Sequence, residues 1–442
     1  MKTLLSKLLI SVSMLVLYAN LISAQTENIS IYSKENHIVK KTLSNSSKIN
    51  QELNLKSTNK KIEHVFHITM SKKDCKKLSK TKNIEKSYLS NCIITYNNDT
   101  LSVNELELRG KSSMRFKRKS FSVKLNNKLS ITKNGTTHKF KKFNLVSLSM
   151  DQNYFRNKVA FDLMTHLNLF NLFYTYTEVI VNGKTQGIYL MLQKPKNYAF
   201  KKENATFMLR RDYDNIIKKT YCRGNDTTHK AIYEEAFLSI YNELMQKEGK
   251  EFYEQLSEIL DIEQYFTWMA FNFLIGNKDY TDEVFFFNKA SGDSLKFGIM
   301  PWDYDDIFYE HPREGYVIRY LNFGDKLAFS SEDDLDFKLI SNEYTYTKYL
   351  KTLANVIEKN SISVLTGVFE LTYQELYPYY CKKDILKASK ADKFGKTNLS
   401  NLELDMRNTY KWLIQKRETI TKVLPTLTKN SSNSILIKTA DK

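Results

Sequence analysis

Alternating apolar and polar positions mark the first half of the chain and predict β-strands there. The strand signals lie at 62–68, 91–96, 101–108, 120–125, 174–181 and 186–193. Asn97-Asn98-Asp99 separates the second and third of these segments and predicts a hairpin. Asn182-Gly183 separates the last two and is the strongest short hairpin signal in the sequence.

Apolar residues at helical spacing mark the second half. Asp151 is expected to cap a helix that runs to about residue 170, with Phe155, Val159 and Leu163 on one face. Further helices are predicted at 229–247, 251–260, 262–274, from about 332 onward, and at 401–424. Strands followed by helices favour an α+β fold of two lobes with a cleft between them.

Composition divides the chain into five predicted segments. Residues 1–24 combine Lys2 and Lys7 with an apolar run and a small-residue end, which indicates a signal peptide. A retained membrane anchor is the alternative, but we expect an exported protein without a transmembrane span in the mature chain. It would be extracellular, at the cell surface or periplasmic. The other predicted segments are a flexible lead-in at 25–61, a strand-rich lobe at 62–200, a helix-rich lobe at 201–428 and a tail at 429–442.

The chain has 67 Lys and Arg against 49 Asp and Glu, a net charge of +18. Lysine is spread along the whole sequence without the arginine and aromatic interleaving of nucleic-acid modules, so we expect no nucleic-acid partner. The cysteines are widely spaced and do not form a disulfide framework or a zinc motif; they are Cys75, Cys92, Cys222 and Cys381.

Acidic residues flank a third predicted hairpin, whose strands lie at 284–288 and 295–300. Folding the hairpin at about Ser291 places Asp279 opposite Asp303. Two carboxylates about 5 Å apart repel by roughly 3 kcal/mol at an effective dielectric of about 20, so such a site requires a proton or a cation. Oxygen-only ligands favour Mg²⁺ or Mn²⁺ over zinc. The alternative is that these acids are solvated loop residues.

A catalytic-loop Asp, a short hairpin and a metal-binding Asp follow one another in this order in protein-kinase active sites. With this order and the motifs named below, the chain resembles the spore coat protein H (CotH) kinases, which are secreted, divergent protein-kinase-like enzymes. The resemblance runs from about residue 62 to about residue 424. Its motifs are Arg109-Gly110-Lys111-Ser112-Ser113, 119–124, Phe143-Asn144-Leu145, Asp151, Arg156-Asn157-Lys158, 181–190, 276–279 and 301–305.

The resemblance implies a two-lobed protein-kinase-like fold that uses ATP with Mg²⁺ or Mn²⁺. Asp279 would orient or deprotonate an acceptor hydroxyl on a secreted or surface protein. Asp303 would hold the metal that bridges the phosphates, and Asp305 would be its second ligand.

Phosphate binding is predicted at two basic positions. Strand alternation places Lys119 on the same face as Phe121 and Val123, where an ammonium requires an anionic partner; the alternative is that Lys119 ends the strand and reaches water. The resemblance assigns Arg109 and the backbone of Gly110 to phosphate oxygens, although a plain turn between strands also fits the sequence there.

Three further site residues depend on the resemblance. Arg156, together with its neighbour Asn157, matches a recurrent family position and would reach the cleft, unless Arg156 is a surface residue that pairs with an acid. Gln193 stands where many relatives have Glu, and its amide would bond to the adenine edge. Glu283 and Val284 occupy the positions at which many members have a metal-binding Asn, so Glu283 is the expected oxygen donor.

Two other classes of function fit the same residues. One is a catalytically silent family member that binds an envelope protein or an anionic surface polymer. The other is a metal-dependent hydrolase that uses the carboxylates to activate water.

Overall fold

The computed structural model describes residues 52–80, 88–89, 92–110, 112–212, 216–224, 227–289, 295–310, 326–328, 333–395 and 397–440. From Leu53 onward the chain forms one compact unit. The predicted signal peptide, most of the lead-in and the turn around Ser291 lie outside the described residues. The division into two lobes stays a prediction.

Nine of the described strands form one sheet in the order β2-β5-β6-β7-β9-β8-β1-β3-β4. β1 pairs with β8 in parallel, and the other neighbours are antiparallel. The strands are β1 (Val65–Thr69), β2 (Tyr88–Leu89), β3 (Ile93–Tyr96), β4 (Asp99–Leu101), β5 (Val103–Arg109), β6 (Ser120–Lys133), β7 (Thr136–Val146), β8 (Tyr174–Val181) and β9 (Lys184–Gln193).

Strand alternation produces the core of this sheet. Phe121, Val123 and Leu125 of β6 share one buried cluster with residues of β1, β5, β7, β8 and β9. The predicted apolar face of β6 is therefore confirmed. The predicted hairpin at Asn182-Gly183 is confirmed too, with both residues in the left-handed conformation (φ 46° and 74°) that a two-residue hairpin turn requires.

The predicted hairpin between 91–96 and 101–108 is wrong in its second strand. β3 pairs with the short β4, and β5 instead pairs with β2 and β6. The chain changes partner at Ser102, whose carbonyl accepts a 2.8 Å hydrogen bond from the Asn126 amide. This change places Leu106 and Leu108 beside Phe121 in the core, and burial of these side chains outweighs continued local pairing.

Helices and a smaller sheet make up the rest of the unit. The smaller sheet has the order β11-β10-β12-β13, and its strands are β10 (Phe207–Arg211), β11 (Ile217–Cys222), β12 (Val284–Asn288) and β13 (Phe297–Pro301). The helices are α1 (Lys72–Lys80), α2 (Arg156–Thr165), α3 (Pro195–Lys201), α4 (Thr227–Asn242), α5 (Gly249–Ile259), α6 (Ile262–Ile275), α7 (Asp334–Ser341), α8 (Glu343–Lys359), α9 (Ile362–Tyr380), α10 (Lys383–Ala388) and α11 (Leu399–Ala440).

The helix predicted from Asp151 to about residue 170 is shorter than expected. A 3₁₀ turn, Gln152–Tyr154, comes first, and α2 follows at Arg156–Thr165. Asn153 and Tyr154 have positive φ values of 53° and 63°, which interrupt the helical path. The Asp151 carboxylate still caps α2, because its oxygens accept from the amides of Arg156 (3.0 Å) and Asn157 (2.9 Å).

All four cysteines lie in the described residues and are free thiols. Among the helices of the described residues, none combines the length and the apolar character needed to span a bilayer.

Candidate active site

The predicted acidic hairpin is confirmed, since β12 pairs with β13 from Val284↔Pro301 to Asn288↔Phe297. One residue beyond this register, the Trp302 amide donates to the Glu283 carbonyl at 2.8 Å. The segments on either side also run together, with the Lys278 amide bonded to the Asp306 carbonyl at 3.2 Å. The two acidic segments therefore lie side by side at one end of the hairpin.

Asp279 lies in the segment that follows α6. Gly276 ends α6 in the left-handed conformation, with φ 59°. The Asn277 side chain then accepts a 3.1 Å bond from the Asp279 amide and donates a 3.1 Å bond to Asn272 within α6. These bonds fix the backbone of Asp279 relative to the helix.

The carboxylates at this end interact electrostatically. Desolvation raises the pKa of Asp305 well above its ordinary value, and Asp303, Asp306, Asp151 and Asp279 raise it further. Desolvation also raises the pKa of Asp303; Arg109 and Arg210 oppose this shift, while Asp279 and Asp306 add to it. Asp303 is solvent-exposed, so water limits its desolvation and the charged neighbours have the larger effect on its ionisation. The structure thus brings Asp279, Asp303 and Asp305 into one acidic cluster.

The loop between β13 and residue 307 is held by α2. The Asn157 side-chain oxygen accepts a 2.9 Å hydrogen bond from the Tyr304 amide, and its Nδ2 donates to Asp151 at 3.1 Å. Asp303 has a positive φ of 52°, so the backbone turns sharply at this residue. The resemblance predicts that Asn157 reaches the cleft, whereas the spacing of residues in the sequence does not indicate this contact with Tyr304.

Arg109 lies at the end of β5 and reaches the acidic cluster. Its guanidinium stacks on the Trp302 ring at 5.6 Å. Burial lowers the pKa of Arg109, whereas the neighbouring Asp303 and Glu283 raise it. Gly110 follows with φ +112°, and a Cβ there would lie 2.1 Å from the Ser113 hydroxyl oxygen. This position therefore requires glycine.

Two cations near the cluster were missed by sequence reasoning. Arg210 of β10 lies 2.5 Å from Glu283 and 3.5 Å from Asp282 between charged atoms. Lys194, after β9, donates to the Ser122 hydroxyl at 2.5 Å; burial lowers its pKa to about 8, and the charge of Arg109 contributes to this shift. A signal for Arg210 existed, because it follows the apolar residues Phe207, Met208 and Leu209 of β10, just as Lys119 directly precedes the apolar strand β6.

The remaining predicted residues contact mainly backbone. The Lys119 ammonium donates to the Met114 carbonyl. Arg156 donates to the Ile307 carbonyl at 2.6 Å, beneath the acidic loop. The Gln193 side-chain oxygen accepts from the Phe173 amide at 3.1 Å. The predicted roles of these three residues in nucleotide binding stay predictions.

Glu283 is half-buried beside Arg210. Desolvation raises its pKa well above the ordinary value, Asp303, Asp282 and Asp279 raise it further, and Arg210 lowers it. Within the described ranges, no three His, Cys, Asp or Glu side chains are grouped so that they could hold a metal ion by themselves.

The family model described as CotH kinase protein matches residues 106–375. The chain belongs to the CotH kinase family. The matched range includes every predicted site residue from Arg109 to Asp305.

Two known proteins are similar to this CotH kinase family member. The inner spore coat protein H of Bacillus subtilis (strain 168) is 24% identical over 238 residues, which cover 48% of this chain and 62% of that relative. The chain thus spans about six tenths of the relative's length. The crystal structure of the Helicobacter pylori proinflammatory kinase CtkA has 12% identity and a TM-score of 0.28, covering 60% of this chain and 90% of that one.

Proposed function

We propose that this CotH kinase family member is an exported enzyme with a two-lobed protein-kinase-like fold. It transfers the γ-phosphate of ATP to hydroxyls of secreted or cell-surface proteins and requires Mg²⁺ or Mn²⁺. Family membership supports a kinase-like protein. The observation that carries the proposal is the hairpin, which brings the segments of Asp279 and Asp303 together at one end.

Asp279 is the proposed partner of the acceptor hydroxyl. Its backbone is fixed by Asn277, and its carboxylate is near enough to Asp303 and Asp305 to raise the pKa of both. A carboxylate in this position orients the acceptor hydroxyl and takes its proton as the bond to phosphorus forms.

Asp303 and Asp305 are the proposed metal ligands. Mg²⁺ usually takes one or two protein carboxylates together with substrate phosphates and water, and these two side chains fit that donor set. A bound divalent ion would neutralise phosphate charge and orient the transferred group. Glu283 would contribute an oxygen donor only by giving up part of its ion pair with Arg210.

Positive side chains next to these carboxylates are the proposed phosphate contacts. Arg109 and Arg210 both act electrostatically on Asp303, so an anion placed there would meet two guanidinium groups. Lys194, close to Arg109, supplies a third cation on the same side of β6. Lys119, Gly110, Arg156 and Gln193 keep the nucleotide-binding roles predicted from the sequence.

A surface or coat-associated location is part of the proposal. It is supported by the relative named as an inner spore coat protein.

The test is transfer of label from γ-labelled ATP by the chain from Gln25 onward, with Mg²⁺ or Mn²⁺. We expect label on the protein or on a generic acceptor, lost in Asp279→Asn and in Asp303→Asn. Asp384→Asn, an exposed acid of α10, is the matched control and should keep full activity. Circular dichroism checks that each variant is folded.

The other outcomes separate the alternatives. Nucleotide binding without transfer, or no nucleotide binding, indicates the silent module that binds an envelope protein or anionic polymer. Release of free phosphate without an acceptor indicates a hydrolase. Full activity in folded Asp303→Asn would contradict the metal assignment.

A further inference from the structure

A second concave site lies beside the first turn of α2. Its volume is about 380 Å³, and it is formed by residues 151–154 together with residues between Asp392 and Asn408. Asp151, Asp392 and Asp405 line it, and the described residues that line it include no Lys or Arg. Asp392 is paired with Arg118, which is not part of the lining. This acidity is opposite to the net charge of +18 of the whole chain.

Asp392 has an unsatisfied oxygen at this cavity. Its side chain is only 5% exposed. One oxygen, Oδ2, accepts from Arg118 and from the Tyr154 hydroxyl (2.7 Å). The other, Oδ1, is buried and has no hydrogen-bond partner among the described residues. A buried acceptor left unpaired costs about 1–3 kcal/mol, so a donor supplied by a ligand would be stabilised there.

The rim of the cavity is apolar. Phe394 and Leu404 line the cavity and are 43% and 61% exposed. The ring of Phe394 already has an ammonium over it, that of Lys393 at 5.1 Å from the centroid. An acidic floor beneath an apolar rim matches a side chain with an alkyl stem and a cationic end.

We propose that this cavity binds the side chain of a lysine from a partner protein. The alkyl stem lies against Leu404 and Phe394, and the ammonium points to Asp392 and Asp405. Asp405 accepts a 2.9 Å bond from the Asn153 amide group, which leaves its second oxygen as a further acceptor for the ammonium.

The cavity is connected to the acidic cluster. Asp151 in its wall bonds to Asn157, and Asn157 accepts from the Tyr304 amide between Asp303 and Asp305. One buried side chain therefore joins the wall of the cavity to the loop that carries the proposed metal ligands. That the partner is the phosphate acceptor rests on the proposed kinase function; lysine binding itself does not.

The test compares two fluorescein-labelled peptides, Gly-Ser-Gly-Lys-Gly-Ser-Gly and its copy with norleucine in place of Lys. Norleucine keeps the four-carbon stem and removes the ammonium. Binding to the chain from Gln25 onward is measured by fluorescence anisotropy without ATP. We expect the Lys peptide to bind about tenfold more tightly, as one charged hydrogen-bonded contact would give. General electrostatics of the basic chain would produce the opposite preference.

Substitutions in the cavity test whether the Lys peptide binds there. Asp405→Asn keeps the size of the side chain and an acceptor for Asn153, and it should reduce the preference about fivefold. Leu404→Gln changes an exposed position beside the alkyl stem, so it should weaken binding of both peptides and leave the preference unchanged. Asp384→Asn and Leu371→Gln are the controls, an exposed acid and a leucine that is 44% exposed. Neither control should change the preference.

The remaining results distinguish failure of the cavity proposal from failure of the kinase proposal. Equal binding of both peptides, or an unchanged preference in Asp405→Asn, overturns the cavity proposal even if phosphate transfer is observed. A preference that depends on Asp405 upholds the cavity even if no transfer occurs, in which case the kinase proposal alone fails. Free n-butylammonium that binds as tightly as the Lys peptide, or Ca²⁺ that displaces the peptide, overturns the assignment to a protein lysine.

Discussion

Asn157 accepts a 2.9 Å hydrogen bond from the backbone amide of Tyr304, the residue between the proposed metal ligands Asp303 and Asp305. The Asn157 side chain is buried, and its Nδ2 donates to Asp151. One amide group therefore ties α2 to a loop whose carboxylates repel each other. Such a buried, satisfied contact fixes the position of the loop before any cation binds.

Asn157→Leu should weaken both stability and phosphate transfer. The substitution leaves the Tyr304 amide without its partner and removes one of the two bonds that Asp151 Oδ2 accepts from residue 157, at a cost of about 2–3 kcal/mol. We expect transfer by the folded variant to fall about 100-fold, because a shift of about 1 Å in a positioned group has effects of this size. Urea unfolding and γ-phosphate transfer measure the two quantities.

Asn360→Leu is the matched control for this prediction. Asn360 is also fully buried, but its Nδ2 bonds to the Val356 carbonyl at 3.1 Å. It should lose similar stability and keep its transfer rate per folded molecule. Undiminished transfer in Asn157→Leu would show that the loop does not depend on this contact.

Gly276 is a position where one methyl group should disturb the proposed catalytic segment. A Cβ at Gly276 would lie 2.2 Å from the Tyr309 carbonyl oxygen and 3.0 Å from the Trp412 ring. The backbone must therefore move away from residue 309, and Asp279 would move with it. We expect Gly276→Ala to cost about 3 kcal/mol, the sum of the positive-φ strain and the steric clash.

Gly249→Ala isolates the strain from the clash. Gly249 has nearly the same φ, +57° against +59°, and a Cβ there meets nothing within 4 Å. It should cost about 1–2 kcal/mol and leave transfer unchanged. If Gly276→Ala and Gly249→Ala lose the same unfolding free energy, the Tyr309 carbonyl can move away from the added methyl group at little energetic cost.

Local patterns predicted the hairpin at the site, whereas its distant partners were not predictable. β12 and β13 are neighbours in sequence, so strand alternation and a turn determine their pairing. Arg210 instead reaches Glu283 because β10 pairs with β12, with Arg210 opposite Phe285. The partner of a strand that is not its neighbour in sequence depends on how whole elements pack, and the spacing of residues does not contain that information.

The side chain of Lys119 also has a partner that the local sequence pattern does not predict. Alternation correctly predicted that Phe121 and Val123 face the core. The anionic partner predicted for the Lys119 ammonium stays a prediction. The structure shows the Lys119 ammonium bonded to the carbonyl of Met114, in a 3₁₀ turn that was not predicted. β7 was missed because four of its eleven residues are Lys or His, which hides the apolar alternation.

Arg210 should stabilise the fold mainly through Glu283. The charged atoms are 2.5 Å apart, and the two side chains are only 22% and 16% exposed. Arg210→Gln leaves Glu283 beside Asp282 and Asp303 without its cation, and we expect a loss of about 3 kcal/mol at pH 7. Glu283→Gln in the same chain should recover at least about 1 kcal/mol, because it removes the unpaired charge. Urea unfolding of the single and double variants gives this coupling energy.

Lys250 and Glu254 are the matched control pair. Their charged atoms are 3.3 Å apart, but the side chains are 68% and 58% exposed. A double-mutant cycle there should give at most about 0.5 kcal/mol. A coupling energy just as small for Arg210 and Glu283 would show that solvent or another group compensates Glu283.

Asp151 should make stability fall as the pH rises. Burial raises its pKa to about 6, although bonds from Asn157 and Arg156 oppose the shift. In the unfolded chain the pKa is about 4, so the folded state holds the proton more tightly between these values. The contribution of Asp151 to the free energy of unfolding is therefore complete below about pH 4 and decreases by about 3 kcal/mol as the pH rises to above 6.

The variant Asp151→Asn has no carboxyl group at this position and therefore lacks this titration. The difference in unfolding free energy between the parent chain and Asp151→Asn should change by that amount across the window, while other titrations cancel. A difference that is constant from pH 4 to pH 7 would show that Asp151 ionises normally in the fold.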